Sequence, residues 1–384
     1  MNDLLIGHLN GIIIFLVFLF FISLSNIFLI FNPARCCHLE EAPLVSVLIP
    51  ARNEEDSIAS CICSLLGQDY PFYEVIVLDD NSEDKTTEIL DSFRNPKLKW
   101  IKGKPLPHGW AGKSWACHQL SGFAKGDYLL FTDADTIHNK SSISCTISTV
   151  QRTGAGFASL MPLQVVVTFM EKLIVPVINW AIFFFLPLFL AYRLPYPFLS
   201  AAVGQYILFS RVAYDKCGGH AAVKESVDDD LALAKQAKRM GVKWILMNGK
   251  DLLSCRMYSN ARQVWDGFGK NLFSITGYRI LPHLFIWLWT ALIFIAPLAI
   301  ILAYYLTTVA MPTELVFRVA AAFILATLLW LIMLCKFGLP LYLVFIYPLA
   351  VFMTVSAALY SMVLFLFGRS TWKGRAVRVR ARLF

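Results

Sequence analysis

Charged side chains are scarce in this sequence of 384 residues. Only 16% of the residues are Asp, Glu, Lys or Arg, whereas 57% are hydrophobic, and the mean hydropathy is +0.60. Soluble domains carry about 25% charged residues, so the composition predicts a membrane protein. Residues 40–280 hold nearly all the carboxylates, and long stretches near both termini are almost free of charge. This distribution predicts a soluble body between membrane anchors.

Cysteine pairs with the CxxC spacing are missing. The nine cysteines occupy positions 36, 37, 61, 63, 117, 145, 217, 255 and 335, and no set of histidines accompanies them in the sequence. The sequence therefore predicts neither a zinc site nor a disulfide framework. An odd number of scattered thiols favours a reducing compartment, in which most of them pack as small hydrophobic side chains.

No basic helix or alternation of basic and aromatic residues accompanies the net charge of +8, so nucleic acid is not expected as a partner. Much of the positive charge lies in residues 369–384, directly after an apolar stretch. We interpret this tail as a cytoplasmic signal for membrane topology and lipid headgroups, with a polybasic binding site as the alternative. Its basic residues are Arg369, Lys373, Arg375, Arg378, Arg380 and Arg382.

A long apolar run lies near the N-terminus. Residues 4–31 exceed the roughly 20 residues that a helix needs to cross a bilayer. The run lacks the charged start and the small-residue cleavage site of a cleaved signal peptide. We predict that residues 1–35 form a transmembrane signal anchor. Because Asp3 precedes the run and many basic residues follow it, the N-terminus is expected outside and the body in the cytoplasm.

The region 281–368 contains further apolar stretches. Residues 281–305 and 315–335 are predicted spans, and Pro348 interrupts a third stretch, 339–367. Three crossings after a cytoplasmic body would place the basic tail outside, against the positive-inside rule. The third stretch is therefore interpreted as a re-entrant hairpin or as two short spans, and the number of spans stays open.

The body alternates short apolar strands with helices. Strands are predicted at 44–50, 74–79 and 128–132, and helices at 58–66 and 86–93. Such alternation indicates a parallel α/β sheet over residues 40–280, with ligands beyond the carboxyl ends of its strands.

Within the body, residues 171–198 form an apolar segment with four prolines. A membrane crossing there would separate Asp133 from the acidic run 228–230. We therefore predict an interfacial segment that lies on the bilayer. A buried core helix of the body is the alternative.

Acidic residues collect at the predicted strand ends. Asp133 and Asp135 can reach one cation, and hard oxygen ligands suit Mg²⁺ or Mn²⁺ bridging the phosphates of a nucleotide. Asp79 and Asp80 end the preceding strand, and Lys113 follows in a glycine-bearing segment. Taken singly, the acidic pairs are common helix caps and Lys113 is a solvated loop lysine. Their order on strand ends favours the nucleotide site.

The order of these motifs resembles that of family-2 glycosyltransferases, which have a GT-A (Rossmann-like) nucleotide-binding body, over residues 44–277. The resemblance implies that the nucleoside is held by Pro50, Ala51, Arg52, Glu54, Asp79 and Asp80. It implies that Lys113 meets the diphosphate. Asp135 would be the more direct metal ligand, with Asp133 nearer the ribose or sugar.

The family also has a glycine pair followed by an acidic helix that provides the catalytic base. Here Gly218, Gly219 and His220 precede the three acids 228–230, where the family has Glu-Asp. Requiring a leucine at the third place after the base selects Asp230. Asp228 is the alternative, and Asp229 takes the place of the family's Glu. A base is needed because a sugar acceptor hydroxyl is a poor nucleophile until it loses its proton.

A Gln/Arg-x-x-Arg-Trp motif of membrane members is incomplete here. The nearest match runs from Arg262 to Trp265 and lacks the arginine before the tryptophan. This departure argues against a processive polysaccharide synthase. Together with the segment around Trp110, it resembles the bacterial subgroup of carotenoid-acid and hopanoid-associated glycosyltransferases. Trp110 and Trp265 are candidate acceptor contacts, with interface anchors or core aromatics as the alternative.

Together these motifs lead us to expect an inverting, metal-dependent enzyme. We expect it to transfer a sugar, with UDP-glucose as the favoured donor, to a membrane lipid or isoprenoid at the cytoplasmic face. The alternatives are a processive synthase and a non-catalytic membrane scaffold that keeps the fold.

Overall fold

The computed structural model describes residues 2–33, 42–306, 312–369, 371–372, 375–376 and 381–383. Cys36, Cys37 and half of the predicted basic tail, including Lys373, Arg378 and Arg380, lie outside these residues. The helices are α1 (Asn2–Leu29), α2 (Ile58–Leu66), α3 (Thr86–Ser92), α4 (Gly112–Phe123), α5 (Ser142–Thr153), α6 (Phe169–Ile174), α7 (Val177–Phe185), α8 (Leu188–Ala191), α9 (Arg211–Cys217), α10 (Asp229–Arg239), α11 (Ala261–Asn271), α12 (Ile280–Phe294), α13 (Ala296–Leu306), α14 (Thr313–Phe337) and α15 (Tyr347–Leu366). The strands are β1 (Val45–Ala51), β2 (Tyr73–Asp79), β3 (Leu98–Lys102), β4 (Tyr128–Phe131), β5 (Thr136–His138), β6 (Phe157–Gln164), β7 (Ile207–Ser210), β8 (Trp244–Cys255), β9 (Thr371–Trp372) and β10 (Arg375–Ala376).

Eight of these strands form one sheet in the order β3-β2-β1-β4-β7-β6-β8-β5. The first four are parallel, as predicted. The sheet is mixed beyond them, because β7 runs antiparallel to both β4 and β6, and β5 runs antiparallel to β8. The carboxyl ends of β1, β2 and β4 therefore meet at one edge, which brings the acidic residues after β2 and β4 to the same side of the sheet.

Strand β1 lies at the centre of the parallel half and is buried on both faces. Val45, Val47 and Ile49 are fully buried, which fits an uninterrupted apolar strand. Ser46 is the polar exception. Its hydroxyl donates to Glu74 Oε1 at 2.6 Å and accepts from the backbone N–H of Gly126 at 2.8 Å. This hydroxyl thereby fixes the turn that leads into β4.

Two compact units divide the chain. The sheet unit contains Phe28–Val165 and Leu188–Met257, and the apolar unit contains Met1–Ile27, Val166–Pro187 and Tyr258–Phe384. The predicted interfacial segment is thus split after Pro187. Its first part belongs with the apolar helices rather than with the predicted body, and its placement on a membrane stays a prediction.

The apolar unit contains the candidate membrane spans. Among the described residues, Leu5–Leu29, Thr313–Phe337 and Tyr347–Leu366 are long and apolar enough to cross a bilayer. Helices α12 and α13 pass the same test together, bent by 45° at their junction. Pro348 lies in the first turn of α15, where proline is well tolerated, so it begins this helix instead of interrupting an apolar span.

Side-chain packing ties the helices of the apolar unit together. The Asn26 amide donates to the carbonyls of Phe183 and Leu186 at 2.9 and 2.8 Å. The buried Trp180 ring packs against Phe294 and Trp330, with centroids 5.6 and 6.2 Å away. Part of the proline-containing segment is therefore buried, but among the apolar helices and not in the core of the α/β body that the alternative interpretation expected.

The cysteines follow the prediction with one exception. Six described cysteines are free thiols, and four of these, Cys61, Cys117, Cys217 and Cys255, are buried like small hydrophobic side chains. Cys145, however, is disulfide-bonded, which departs at this position from the expectation of a chain without a disulfide framework. This bond could not be predicted, because the spacing of cysteines does not show which of them meet in the fold.

We predict that Gly126→Ala destabilises the sheet unit. An added Cβ would lie 2.6 Å from the Ser46 nitrogen and 2.8 Å from the carbonyl oxygens of Leu44 and Tyr128. These are backbone atoms at the strand starts, so we expect a loss of about 2–3 kcal/mol in the free energy of unfolding. Unfolding in detergent measures it. Gly122→Ala, where the Cβ meets nothing within 4 Å, is the control; equal losses in both variants would contradict the argument.

Candidate active site

The centre of the site is the ammonium group of Lys113, in the first turn of α4. Its Nζ lies 2.6 Å from Asp133 Oδ1, after β4, and 3.9 Å from Asp229 Oδ1, at the start of α10. Burial alone would lower the pKa of Lys113, but the neighbouring carboxylates raise it well above its usual value. Lys113 is therefore a charged, paired residue with a side chain 26% exposed, and the interpretation as a solvated loop lysine is wrong.

The second predicted acid of the strand end, Asp135, has an unsatisfied oxygen. Asp135 Oδ1 is buried and has no hydrogen-bond partner. Burial, and then the charges of Asp133 and Glu54, raise the pKa of Asp135 to about 7. An orphaned carboxylate oxygen beside two other acids is the setting that a hard divalent cation satisfies. The residues present thus fit Mg²⁺ or Mn²⁺.

Asp230, in the first turn of α10, lies near Lys113 and Asp133, and the backbone of Gly204 is close to all three side chains. A Cβ built on Gly204 would lie 3.0 Å from Lys113 Nζ, 3.4 Å from Asp230 Oδ2 and 3.5 Å from Asp133 Oδ2. Burial and the charges of Asp229 and Asp228 raise the pKa of Asp230 to about 7. The base chosen by register therefore reaches the same space as Lys113 and Asp133, whereas Asp228 precedes the helix.

The residues predicted to bind the nucleoside lie in two loops, one after β1 and one after β2, and hydrogen bonds join the two loops. The Arg52 guanidinium, after β1, donates to the carbonyls of Asp80 and Asn81 at 2.6 and 2.9 Å. The carboxylate of Asp79 accepts from the Ser82 N–H at 3.0 Å and from a threonine hydroxyl in α3 at 2.8 Å. Asp79 thus joins the loop to the first turn of α3 without capping it, because the N-cap residue of this helix is Lys85. Pro50 lines a small cavity with Lys113, while the contacts of Ala51 and Glu54 with a nucleoside stay predictions.

A buried histidine lies behind the carboxylates. His220 is 1% exposed, its Nδ1 is 2.8 Å from the Tyr214 hydroxyl, and its Nε2 is 3.7 Å from Asp229 Oδ2. The ligand atoms of Cys117, His220 and Asp229 all lie within 4.8 Å of one another. Such a donor set suits a softer ion than Mg²⁺. Sequence reasoning missed it, because its members come from separate parts of the chain.

The predicted acceptor residues are distributed over both units. In the sheet unit, the Trp110 ring lies 5.0 Å from both Trp115 and His118. Gly218 and Gly219 line a cavity of about 610 Å³ together with Trp115 and His118.

In the apolar unit, the side chain of Arg262 is 92% exposed and pairs with Asp266 at 3.7 Å, while Trp265 packs on Tyr360 at 5.6 Å. Their roles toward an acceptor stay predictions. Gly204 and Tyr214 were not predicted, because neither belongs to a local motif.

Known proteins match this chain in sequence and in fold. The model of the family "Glycosyl transferase family 2" matches residues 46–218. A 4,4'-diaponeurosporenoate glycosyltransferase of Staphylococcus haemolyticus (strain JCSC1435) is 27% identical over 254 residues, which cover 64% of this chain and 65% of the relative. An enzyme of the same name from Staphylococcus aureus (strain USA300) is 26% identical over 274 residues, 68% of this chain and 70% of the relative.

Among solved structures, a mannosyltransferase from Pyrobaculum calidifontis in complex with GDP-Man and Mn²⁺ matches with a TM-score of 0.50 at 16% identity. The match covers 94% of this chain and 99% of that one. At this identity the likeness establishes the fold alone.

The mixed sheet with its acidic edge is a GT-A fold. The family match over residues 46–218 and the named relatives indicate that the protein is a glycosyltransferase of the family-2 type, similar to the diaponeurosporenoate glycosyltransferases. Both the predicted fold and the predicted enzyme class are thereby confirmed.

Gly204→Ala should lower sugar transfer without unfolding the protein. The added Cβ would press on the flexible end of Lys113 and displace it from Asp133. Because a displacement of about 1 Å can cost about 10²-fold in rate, we expect kcat/KM to fall at least tenfold. Gly67→Ala, whose Cβ would make only ordinary contacts, is the control. Unchanged transfer in Gly204→Ala would show that the backbone at this position does not shape the site.

Proposed function

We propose that the protein transfers a sugar from a nucleotide-sugar donor to a lipid-like acceptor in the membrane. The observation that carries this proposal is the convergence of Lys113, Asp133, Asp135 and Asp230 at one edge of the sheet. A cation paired with carboxylates suits a diphosphate and its metal ion, and a separate acid of raised pKa suits a general base. A non-catalytic scaffold would have no use for these four charged groups gathered at one partly buried site.

Each group has a role in this proposal. Asp135, with Asp133, would hold Mg²⁺ or Mn²⁺, which would supply Lewis-acid stabilisation of the diphosphate. Lys113 binds the diphosphate and stabilises the negative charge that develops on it as the nucleotide leaves. Asp230 takes the proton of the attacking hydroxyl. One base with in-line attack gives inversion at the anomeric carbon.

Two further features support a membrane acceptor. Tyr196 and Phe198 are exposed in the sheet unit and stack at 5.6 Å, while the Lys238 ammonium holds the carbonyls of Leu194 and Leu199 at 2.8 and 2.7 Å. Fixed exposed aromatic rings suit the membrane interface. The curated relatives are named for a carotenoid acid. We therefore propose a carotenoid-acid or hopanoid type of acceptor, UDP-glucose as donor, and a sheet unit on the cytoplasmic side.

The purified protein in detergent tests this function directly. A panel of UDP- and GDP-sugars with Mn²⁺ or Mg²⁺ is assayed for nucleoside diphosphate release, with and without a membrane lipid extract. We expect release that needs the metal and is stimulated by lipid, with a single sugar added to the product. A ladder of product lengths would favour a processive synthase instead, and no release with any donor would reject transfer.

Replacing the central carboxylates should abolish transfer in a folded protein. We expect Asp135→Asn to weaken metal activation and, with a hydroxyl acceptor, Asp230→Asn to lower kcat about 10²–10⁴-fold, the usual contribution of a general base. Asp91→Asn, on the exposed face of α3, is the matched control and should keep full activity. Transfer at the wild-type rate in both site variants would show that the assignment of the site is wrong.

The pH dependence of transfer should report the base. The pKa of Asp230 is raised to about 7, and only its ionised form can accept a proton. Activity should therefore be low below pH 6, rise through about pH 7 and level off above it, measured as kcat/KM for a hydroxyl acceptor. A carboxylic acid acceptor is already ionised at these pH values. With such an acceptor, Asp230→Asn should cost little, and any rise that remains should report Asp135, whose pKa is also raised to about 7.

A further inference from the structure

The segment from Tyr214 to His220 is built around one close contact. Gly219 has φ +52°, and a Cβ at this position would lie 2.5 Å from ring atoms of Tyr214. Only glycine therefore lets the chain turn over the face of the tyrosine. The Tyr214 hydroxyl accepts from the His220 backbone N–H at 3.2 Å. This hydrogen bond fixes the position of the His220 backbone.

The same hydroxyl sets the orientation of the imidazole. Because the Tyr214 oxygen already accepts from the backbone, its O–H is available to donate to His220 Nδ1, 2.8 Å away. The proton of the neutral imidazole then lies on Nε2, which faces Asp229 at 3.7 Å. Phe131 packs edge-on against the imidazole, with ring centroids 4.6 Å apart.

Asp229 connects this histidine to the centre of the site. Its carboxylate, with a side chain only 7% exposed, has His220 Nε2 next to one oxygen and Lys113 Nζ 3.9 Å from the other. Burial raises the pKa of Asp229, but Lys113 and His220 outweigh it, so this pKa is lower than usual. Asp229 is thus an ionised group held between a neutral donor and an ammonium.

We propose that Tyr214 and His220 are positioning residues for Asp229, which in turn holds the Lys113 ammonium at the donor diphosphate. This role rests on the proposed function. It replaces the predicted acceptor contact of His220, whose ring nitrogens are both turned inward. It also explains the glycine pair, because Gly219 makes room for the tyrosine that orients the histidine.

Tyr214→Phe removes the hydroxyl and keeps the ring. We expect kcat/KM for the nucleotide-sugar to fall about tenfold, the typical effect of losing one orienting hydrogen bond to a reacting assembly. Tyr70→Phe is the matched control. Tyr70 is equally buried in the sheet unit, and its hydroxyl donates to the Pro43 carbonyl at 2.6 Å, so it should lose stability but not specific activity.

A double-mutant cycle separates positioning from general stability. With Asp229→Asn already present, Tyr214→Phe should cost less than about twofold, because the group that it positions has changed. His220→Gln, whose amide can take the place of Nε2, should keep more activity than His220→Asn. Additive effects in the cycle, or equal specific activities of Tyr214→Phe and Tyr70→Phe, would overturn the proposal while transfer itself stands. A wild-type protein without transfer would reject both.

Discussion

The half-buried ammonium of Lys113 is the group on which the rest of the site depends. Four carboxylates, Asp133, Asp135, Asp229 and Asp230, collect within one sheet edge, and like charges at such distances oppose each other's ionisation. Lys113 lies directly beside two of them and keeps Asp229 ionised, whereas Asp135 and Asp230 have pKa values raised to about 7. One cation thus keeps Asp229 ionised, while Asp135 and Asp230 titrate near neutrality.

The fold makes this arrangement possible with little local design. Parallel strands bring their carboxyl ends to one edge, so Asp133 reaches the site simply by following β4. Strand β7 pairs with β4 in the antiparallel direction, so it begins at the edge of the sheet where β4 ends. Gly204 lies shortly before β7, and its backbone passes close to Lys113, where an added Cβ would lie 3.0 Å from the ammonium nitrogen. The same strand is followed by α9, which carries Tyr214.

The sequence could predict what is periodic or local. Apolar runs located β1, β2 and β4, and short acidic motifs located Asp133 and the acids of α10, because a strand or a helix start is encoded by neighbouring residues. The antiparallel half of the sheet, the division at Pro187 and the pairing of Cys145 depend on which distant segments meet. Lys113 belonged to a recognised motif, yet its burial followed only from the carboxylates folded around it.

The pairing of Lys113 with Asp133 also constrains how a donor can bind. At 2.6 Å this ion pair occupies the oxygen that the metal would need and the ammonium that the diphosphate would need. Separating the pair inside a partly buried site would leave this Asp133 oxygen unpaired and Lys113 with only the more distant Asp229, 3.9 Å away, which is costly. On the proposed roles, a nucleotide-sugar arriving with its metal supplies a partner to each charge at once. Donor and metal should therefore bind as one complex rather than in sequence, since either alone would satisfy only half of the pair.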